Sequence, residues 1–260
     1  MTTHRSYRQL GALGALALAL TMSWASAPLY AAASVDVRIV DPQLASLPFG
    51  KGIDAIAKWL DKRIDKLWAP RIARAADPRD RARLKAERDR ELEQVREDEQ
   101  IFDGRATGLE QSIVASEFGV GTGESLFRWR EGDETHYFFM HEGRLWKYLR
   151  VLAPGPSYAV RMAQFQRGLG EPVEMGDEAD GEGGRRLILT LWQKGDMDIR
   201  LVNRRVVYGA DVFVMEQRPV AQSLAERRKA RGQTGSQSYD SIEIFFLEDP
   251  HTYGAPPPNP

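Results

Sequence analysis

Three short stretches dense in aromatic and branched side chains follow one another between Phe127 and Leu152. Phe127 and Trp129 alternate with Arg128 and Arg130, residues 135–142 hold Tyr137, Phe138 and Phe139, and residues 144–152 hold Leu145, Trp146, Tyr148, Leu149 and Val151. Turn formers separate them, Glu131-Gly132-Asp133 and then Glu142-Gly143. Apolar alternation bounded by Gly and Asp is the pattern of antiparallel strands joined by hairpins, so this region predicts a three-stranded meander. A second set follows over residues 186–193, 197–202 and 206–215, with Lys194-Gly195-Asp196 and Asn203-Arg204 as the turns. Between the two sets, Tyr158, Met162, Phe165 and Leu169 recur at helical spacing, and Gly170 and Pro172 end the helix. The fold class this implies is α+β. An N-terminal helical segment precedes antiparallel β-meanders packed with short helices, and a helix–three-strand unit is used twice, its first helix expected over residues 108–118. Residues 176–184, acidic and rich in glycine, read as a loop.

Upstream, residues 34–49 read as an extended arm. Ile53, Ile56, Leu60, Ile64 and Leu67 then place one apolar stripe on a helix, punctuated by Pro70 and Pro78. Asp77-Pro78 has the form of a cap followed by proline at the first helical position. Residues 79–98 carry seven basic and seven acidic side chains with no Gly or Pro. That composition predicts a solvated, ion-paired helix with a narrow seam of Leu84, Leu92, Val95, Ile101 and Phe102, or a coiled-coil arm for a partner. A basic helix over residues 220–231, a Gly/Ser/Gln linker, a last strand over residues 242–247 and a proline-rich end complete the chain. The expected segments are 1–33 as a signal peptide, 34–102 as arm and charged helical region, 103–217 as the α+β core and 218–260 as the tail.

The leader carries Arg5 and Arg8, then an apolar run from Leu10 to Trp24, then the small residues Ala25-Ser26-Ala27 and Ala31-Ala32-Ala33. This order is that of a secretory signal peptide, and the apolar run falls short of the roughly 20 residues that span a bilayer. Export to the periplasm or medium is therefore expected, with no transmembrane span after removal of the leader. The chain has no cysteine, so neither lipid attachment at a processed cysteine nor a disulfide is available, and stability must come from the core. A net charge of −1 lacks the basic footprint of a nucleic-acid binder or a polybasic membrane binder.

Several of these stretches together resemble an uncharacterised group of exported bacterial proteins. They are Phe102-Asp103-Gly104 with Thr107-Gly108, Glu117-Phe118, Gly123-Glu124-Ser125, Tyr137-Phe138-Phe139 and Leu145-Trp146-Lys147. The resemblance covers residues 80–215 and implies a fold without implying an activity or a site. In architecture alone, the duplicated helix and meander is similar to the modules of small envelope assembly lipoproteins and of secreted β-lactamase-inhibitor proteins, a likeness that assigns no function.

Motifs that carry chemistry are sparse. The loop Gly119-Val120-Gly121-Thr122-Gly123-Glu124 lies after a predicted helix and before a strand, the reverse of a phosphate cradle. His136 and His141 are five apart on one strand and point to opposite faces, so no metal site is expected. Ser125, His136 and Asp133 are the nearest approach to a nucleophilic triad, without a strained nucleophile turn. Glu117, Glu124 and Glu142 are the carboxylates available for paired acid–base work. No catalytic residue, metal or cofactor is assigned. The aromatics Trp129, Tyr137, Trp146, Tyr148 and Trp192 belong either to a core between sheet and helices or to an open groove for a protein, peptide or glycan. The functional expectation is an exported, non-catalytic envelope or secreted protein that binds a protein partner. The alternative is an exported hydrolase of cell-wall or extracellular polymers built on Glu117, Glu124 and His136.

Overall fold

The structure is a computed structural model, and it describes residues 41–230 except 42, 43, 104, 106, 110, 120–122 and 180–183. The expected signal peptide, most of the extended arm and the expected strand 242–247 lie outside the described residues. The elements in chain order are α1 (Ile53–Arg74), α2 (Pro78–Glu97), β1 (Gln100–Ile101), β2 (Glu124–Glu131), β3 (Glu134–His141), β4 (Arg144–Val151), α3 (Tyr158–Leu169), β5 (Glu174–Ala179), β6 (Arg185–Lys194), β7 (Met197–Arg204), α4 (Arg205–Tyr208), β8 (Ala210–Gln217) and α5 (Arg218–Ala230). All eight strands form one antiparallel sheet in the order β1-β2-β3-β4-β8-β7-β6-β5. Two four-stranded meanders thus meet along their last strands, with Leu149 opposite Val214. The fold is α+β, as the alternation implied. Among the described residues no helix is long and apolar enough to cross a membrane.

Alternate residues of each strand serve different cores. One face carries Phe127, Trp129, Phe138, Tyr148, Trp192 and Phe213 under Trp59, Leu60 and Ile64 of α1 and Phe165 of α3. The other carries Leu126, Tyr137, Phe139, Trp146, Leu149 and Val214 under Phe102, Phe118 and Leu224. With both faces buried, strands rich in aromatics throughout are what the sheet requires. The hairpin between β3 and β4 places Glu142 at φ 51° and Gly143 at φ 70°, the two left-handed positions of a type I′ turn.

Several expectations are corrected. Helix α1 continues through Pro70 to Arg74. Pro70 is exposed near the end of the helix, and the segment is anchored by Trp68, whose indole N–H donates to Glu91 at 2.7 Å, while the Arg71 guanidinium lies 4.0 Å from the centre of the Trp68 ring. The described residues between 108 and 118 form turns and a short 3-10 segment, Ala115–Glu117, rather than the expected α-helix. Side chains compete for the backbone there: Leu109 N–H donates to Thr107 Oγ1, Ser112 Oγ to the Leu109 carbonyl, and Val114 N–H to Ser112 Oγ. Such local bonds offer the chain an alternative to helix. Residues 176–179 of the acidic stretch read as a loop belong to β5 at the sheet edge, where Arg185 Nε donates to Asp177 Oδ2 at 2.8 Å and Arg186 pairs with Glu178. Finally, the third strand of the second set begins at Ala210, after the one-turn α4 that Gly209 closes in the left-handed region at φ 70°.

Candidate functional site

The five aromatics do not line an open groove. Trp129 is 3% exposed, Tyr137 7%, Trp146 3%, Tyr148 0% and Trp192 0%. Trp129, Tyr148 and Trp192 belong to the core under α1 and α3, while Tyr137 and Trp146 belong to the opposite one. Fully buried aromatics stabilise a sheet and are closed to a partner. Trp129 alone also borders an opening, described below.

The hydrolytic groupings are not assembled. Glu117 and Glu124 lie on the Tyr137 face, whereas His136 lies on the Trp129 face, opposite Trp129 in the β2–β3 ladder. Ser125 Oγ donates to Glu99 at 2.7 Å and His136 Nδ1 bonds the Tyr148 hydroxyl at 2.7 Å, so serine and histidine serve different partners. In the glycine loop, Gly119 N–H donates to Glu124 Oε2 at 3.0 Å, and a Cβ on Gly119 would run into the Arg228 side chain. That amide is directed at a carboxylate of the protein itself.

Two buried ionic clusters occupy the two faces. On the first, Lys147 Nζ lies 3.1 Å from Glu117 Oε2 and also donates to the Glu117 carbonyl. Arg200 bridges Glu117 at 3.3 Å and Glu216 at 3.0 Å. Burial would raise the Glu117 carboxyl, but the charges of Lys147, Arg200 and Arg204 outweigh it and hold it at about 2. Lys147 is 1% exposed and Glu117 2%, so no substrate reaches them. This cluster pins the turn of residues 115–117 onto the sheet.

The second cluster sits at the mouth of the β2–β3 hairpin. Arg63 of α1 donates to Glu131 Oε2 at 2.6 Å and to Asp41 Oδ2 at 2.9 Å. Arg150 donates to Glu134 Oε2 at 2.8 Å and to Asp41 Oδ2 at 3.0 Å. His136 Nε2 lies 3.3 Å from Glu131 Oε2. Burial depresses the basicity of His136, Glu131 opposes that effect, and the neighbouring Arg150 and Arg63 charges reinforce it. Ligand atoms of Glu131, Glu134 and His136 lie within 4.8 Å of one another, the one grouping among the described residues with the composition to hold a metal ion. Sequence reasoning singled out His136 but passed over Glu131 and Glu134, whose signal was their position on either side of the expected Gly132-Asp133 turn.

One accessible feature among the described residues is a cleft of ≈460 Å³ between the C-terminal half of α2 and the edge of β2. Glu91, Gln94, Val95, Glu97 and Asp98 form one wall, and Arg128, Trp129 and Arg130 the other. Glu91 fastens the helix in place by accepting indole N–H bonds from Trp68 at 2.7 Å and Trp129 at 2.8 Å. Asp98 meets Arg128 at 3.2 Å.

Fold and site together define an α+β protein built on one antiparallel sheet with both faces covered and a cleft beside one edge. No protein-family model and no curated protein matches the chain. One solved structure, a cysteine-rich secretory protein from Staphylococcus aureus, is aligned at 9% identity and a TM-score of 0.24 over 38% of this chain and 37% of that protein's length. That likeness is too slight to inform fold or function.

Proposed function

We propose that this is an exported protein that acts by binding another protein, and that an extended segment of the partner, with an acidic side chain opposite Arg130, enters the cleft beside β2. The observation that carries this reading is the partly uncovered edge of β2. Strand β1 covers only Ser125 and Leu126. Phe102 N–H donates to the Glu124 carbonyl, and backbone groups alternate in direction along a strand. Leu126, Arg128 and Arg130 therefore turn their N–H and C=O groups to the same side as Glu124. Beyond Leu126 no described strand pairs with that side, so Arg128 and Arg130 offer two open rungs within the cleft. Strand addition at such an edge draws affinity from main-chain bonds and selectivity from side-chain pockets. Arg130 is exposed and has no carboxylate partner among the described residues, which favours an acidic side chain opposite it. The apolar leader supports export, and the separation of Glu117 from His136 removes the grouping on which a hydrolase reading relied.

The test is photo-crosslinking in living cells with a benzophenone residue at Gln94 or Arg130, both on the cleft, and at Arg167 as a distant control. The reading expects one discrete protein adduct from the cleft positions in the exported fraction, absent from the control and lost when Arg128→Glu is added. Adducts of equal strength at all three positions, or none, would overturn it.

A further inference from the structure

We propose that Glu131, Glu134 and His136 form a divalent-cation site at the mouth of the β2–β3 hairpin, with a ligand set suited to zinc. The inference is independent of the partner-binding reading and uses the opposite end of β2 from its pairing with β1. Glu131 and Glu134 are direct cross-strand partners, and like charges so opposed repel unless a positive charge lies between or beside them. His136 follows Glu134 by two residues and so shares its face. The three ligand atoms already lie within 4.8 Å of one another.

The histidine is what separates this group from a common patch of surface acid. His136 is 0% exposed. Its Nδ1 is fixed by the Tyr148 hydroxyl at 2.7 Å, the outer-shell arrangement that orients a metal-binding imidazole through its second nitrogen. That bond aims Nε2 at the glutamates. Nε2 stands 3.3 Å from Glu131 Oε2, close enough to feel its charge, and has no other hydrogen-bonding partner among the described residues. A cation there would take the Nε2 lone pair and one oxygen from each glutamate at bond lengths of about 2.0–2.2 Å, with water in the remaining position. An imidazole with two carboxylates selects zinc over magnesium or calcium, which take oxygen ligands.

Arg63 and Arg150 set the strength of the site. Each already donates to one of the two glutamates and to Asp41, so an incoming ion meets two guanidinium charges and binds more weakly than at a site without them. The glutamate side chains are 21% and 17% exposed, which gives the ion a route from solvent to a histidine that has none of its own.

Isothermal titration of the full chain with Zn²⁺ tests the proposal, with Mg²⁺ and Ca²⁺ as comparators. One Zn²⁺ binds per chain, and thermal denaturation shifts upward on saturation. Glu131→Gln, which keeps the shape of the side chain, weakens binding at least tenfold, as does His136→Gln, and His141→Gln leaves it unchanged. Circular dichroism confirms that each variant is folded, and if His136→Gln is not, Glu131→Gln decides alone. The proposal is overturned if Zn²⁺ gives no saturable binding, if Mg²⁺ or Ca²⁺ binds as tightly as Zn²⁺, or if Glu131→Gln binds like the parent.

Discussion

Replacing Glu117 by Gln tests the account of the buried ionic cluster. The substitution keeps the volume and removes the charge, leaving Lys147, 1% exposed, without the carboxylate 3.1 Å away. Two routes give the cost. A carboxyl held at about 2 against an ordinary 4.5 corresponds, at 1.36 kcal/mol for each tenfold change in proton affinity, to about 3 kcal/mol. Removing one member of a buried ion pair costs about 3–5 kcal/mol in general. The sign follows from linkage. A carboxyl whose folded value is depressed contributes stability that is complete above its unfolded value and is lost as pH falls through the folded one. The gap between the parent and Glu117→Gln is thus about 3 kcal/mol at neutral pH and closes as pH falls from 4.5 toward 2. Urea denaturation at a series of pH values reads it directly, and adding Lys147→Met to Glu117→Gln should restore part of the loss because the buried cation that has lost its nearest carboxylate goes with it. A gap below about 1 kcal/mol at pH 7, or one that does not narrow in acid, would refute the reasoning.

Two further predictions concern packing. Trp192→Ala should cost about 3–5 kcal/mol in chemical denaturation, because the ring is 0% exposed and stacks near Phe165; a loss within about 0.5 kcal/mol would instead mark a surface residue and revive the open groove. Glu91→Ala should cost about 2 kcal/mol and red-shift the tryptophan fluorescence, since the indole N–H groups of Trp68 and Trp129 both lose their acceptor; unchanged fluorescence would show that α2 is not fastened to the sheet through this carboxylate.

Much of the sheet was legible because its turns are local. Glu142-Gly143 and Lys194-Gly195-Asp196 mark hairpins by residue type alone, and the alternation of Met197, Ile199 and Leu201 marks the strand after the second. Strand β5 was not legible, because an edge strand buries little and its acids are explained only by the arginines opposite, Arg185 and Arg186. The turns of residues 108–118 were read as helix because apolar spacing does not register the competing bonds of Thr107 and Ser112. The aromatics were correctly placed on strands, but whether they are core or groove depends on how α1, α3 and the chain around Phe118 cover the two faces. The hairpin cluster was hidden for a related reason. Arg63 reaches Glu131 across 68 positions and Arg150 reaches Asp41 across 109, and no spacing rule connects residues so far apart.

Hydrogen exchange of individual amides along β2 tests the open edge most directly. Phe127 and Trp129 turn their N–H groups toward β3, whereas those of Arg128 and Arg130 face the cleft. The account predicts strong protection at Phe127 and Trp129 and rapid exchange at Arg128 and Arg130 in the isolated protein. Uniform protection across residues 127–130 would mean that the edge is already closed and would contradict strand addition at this cleft.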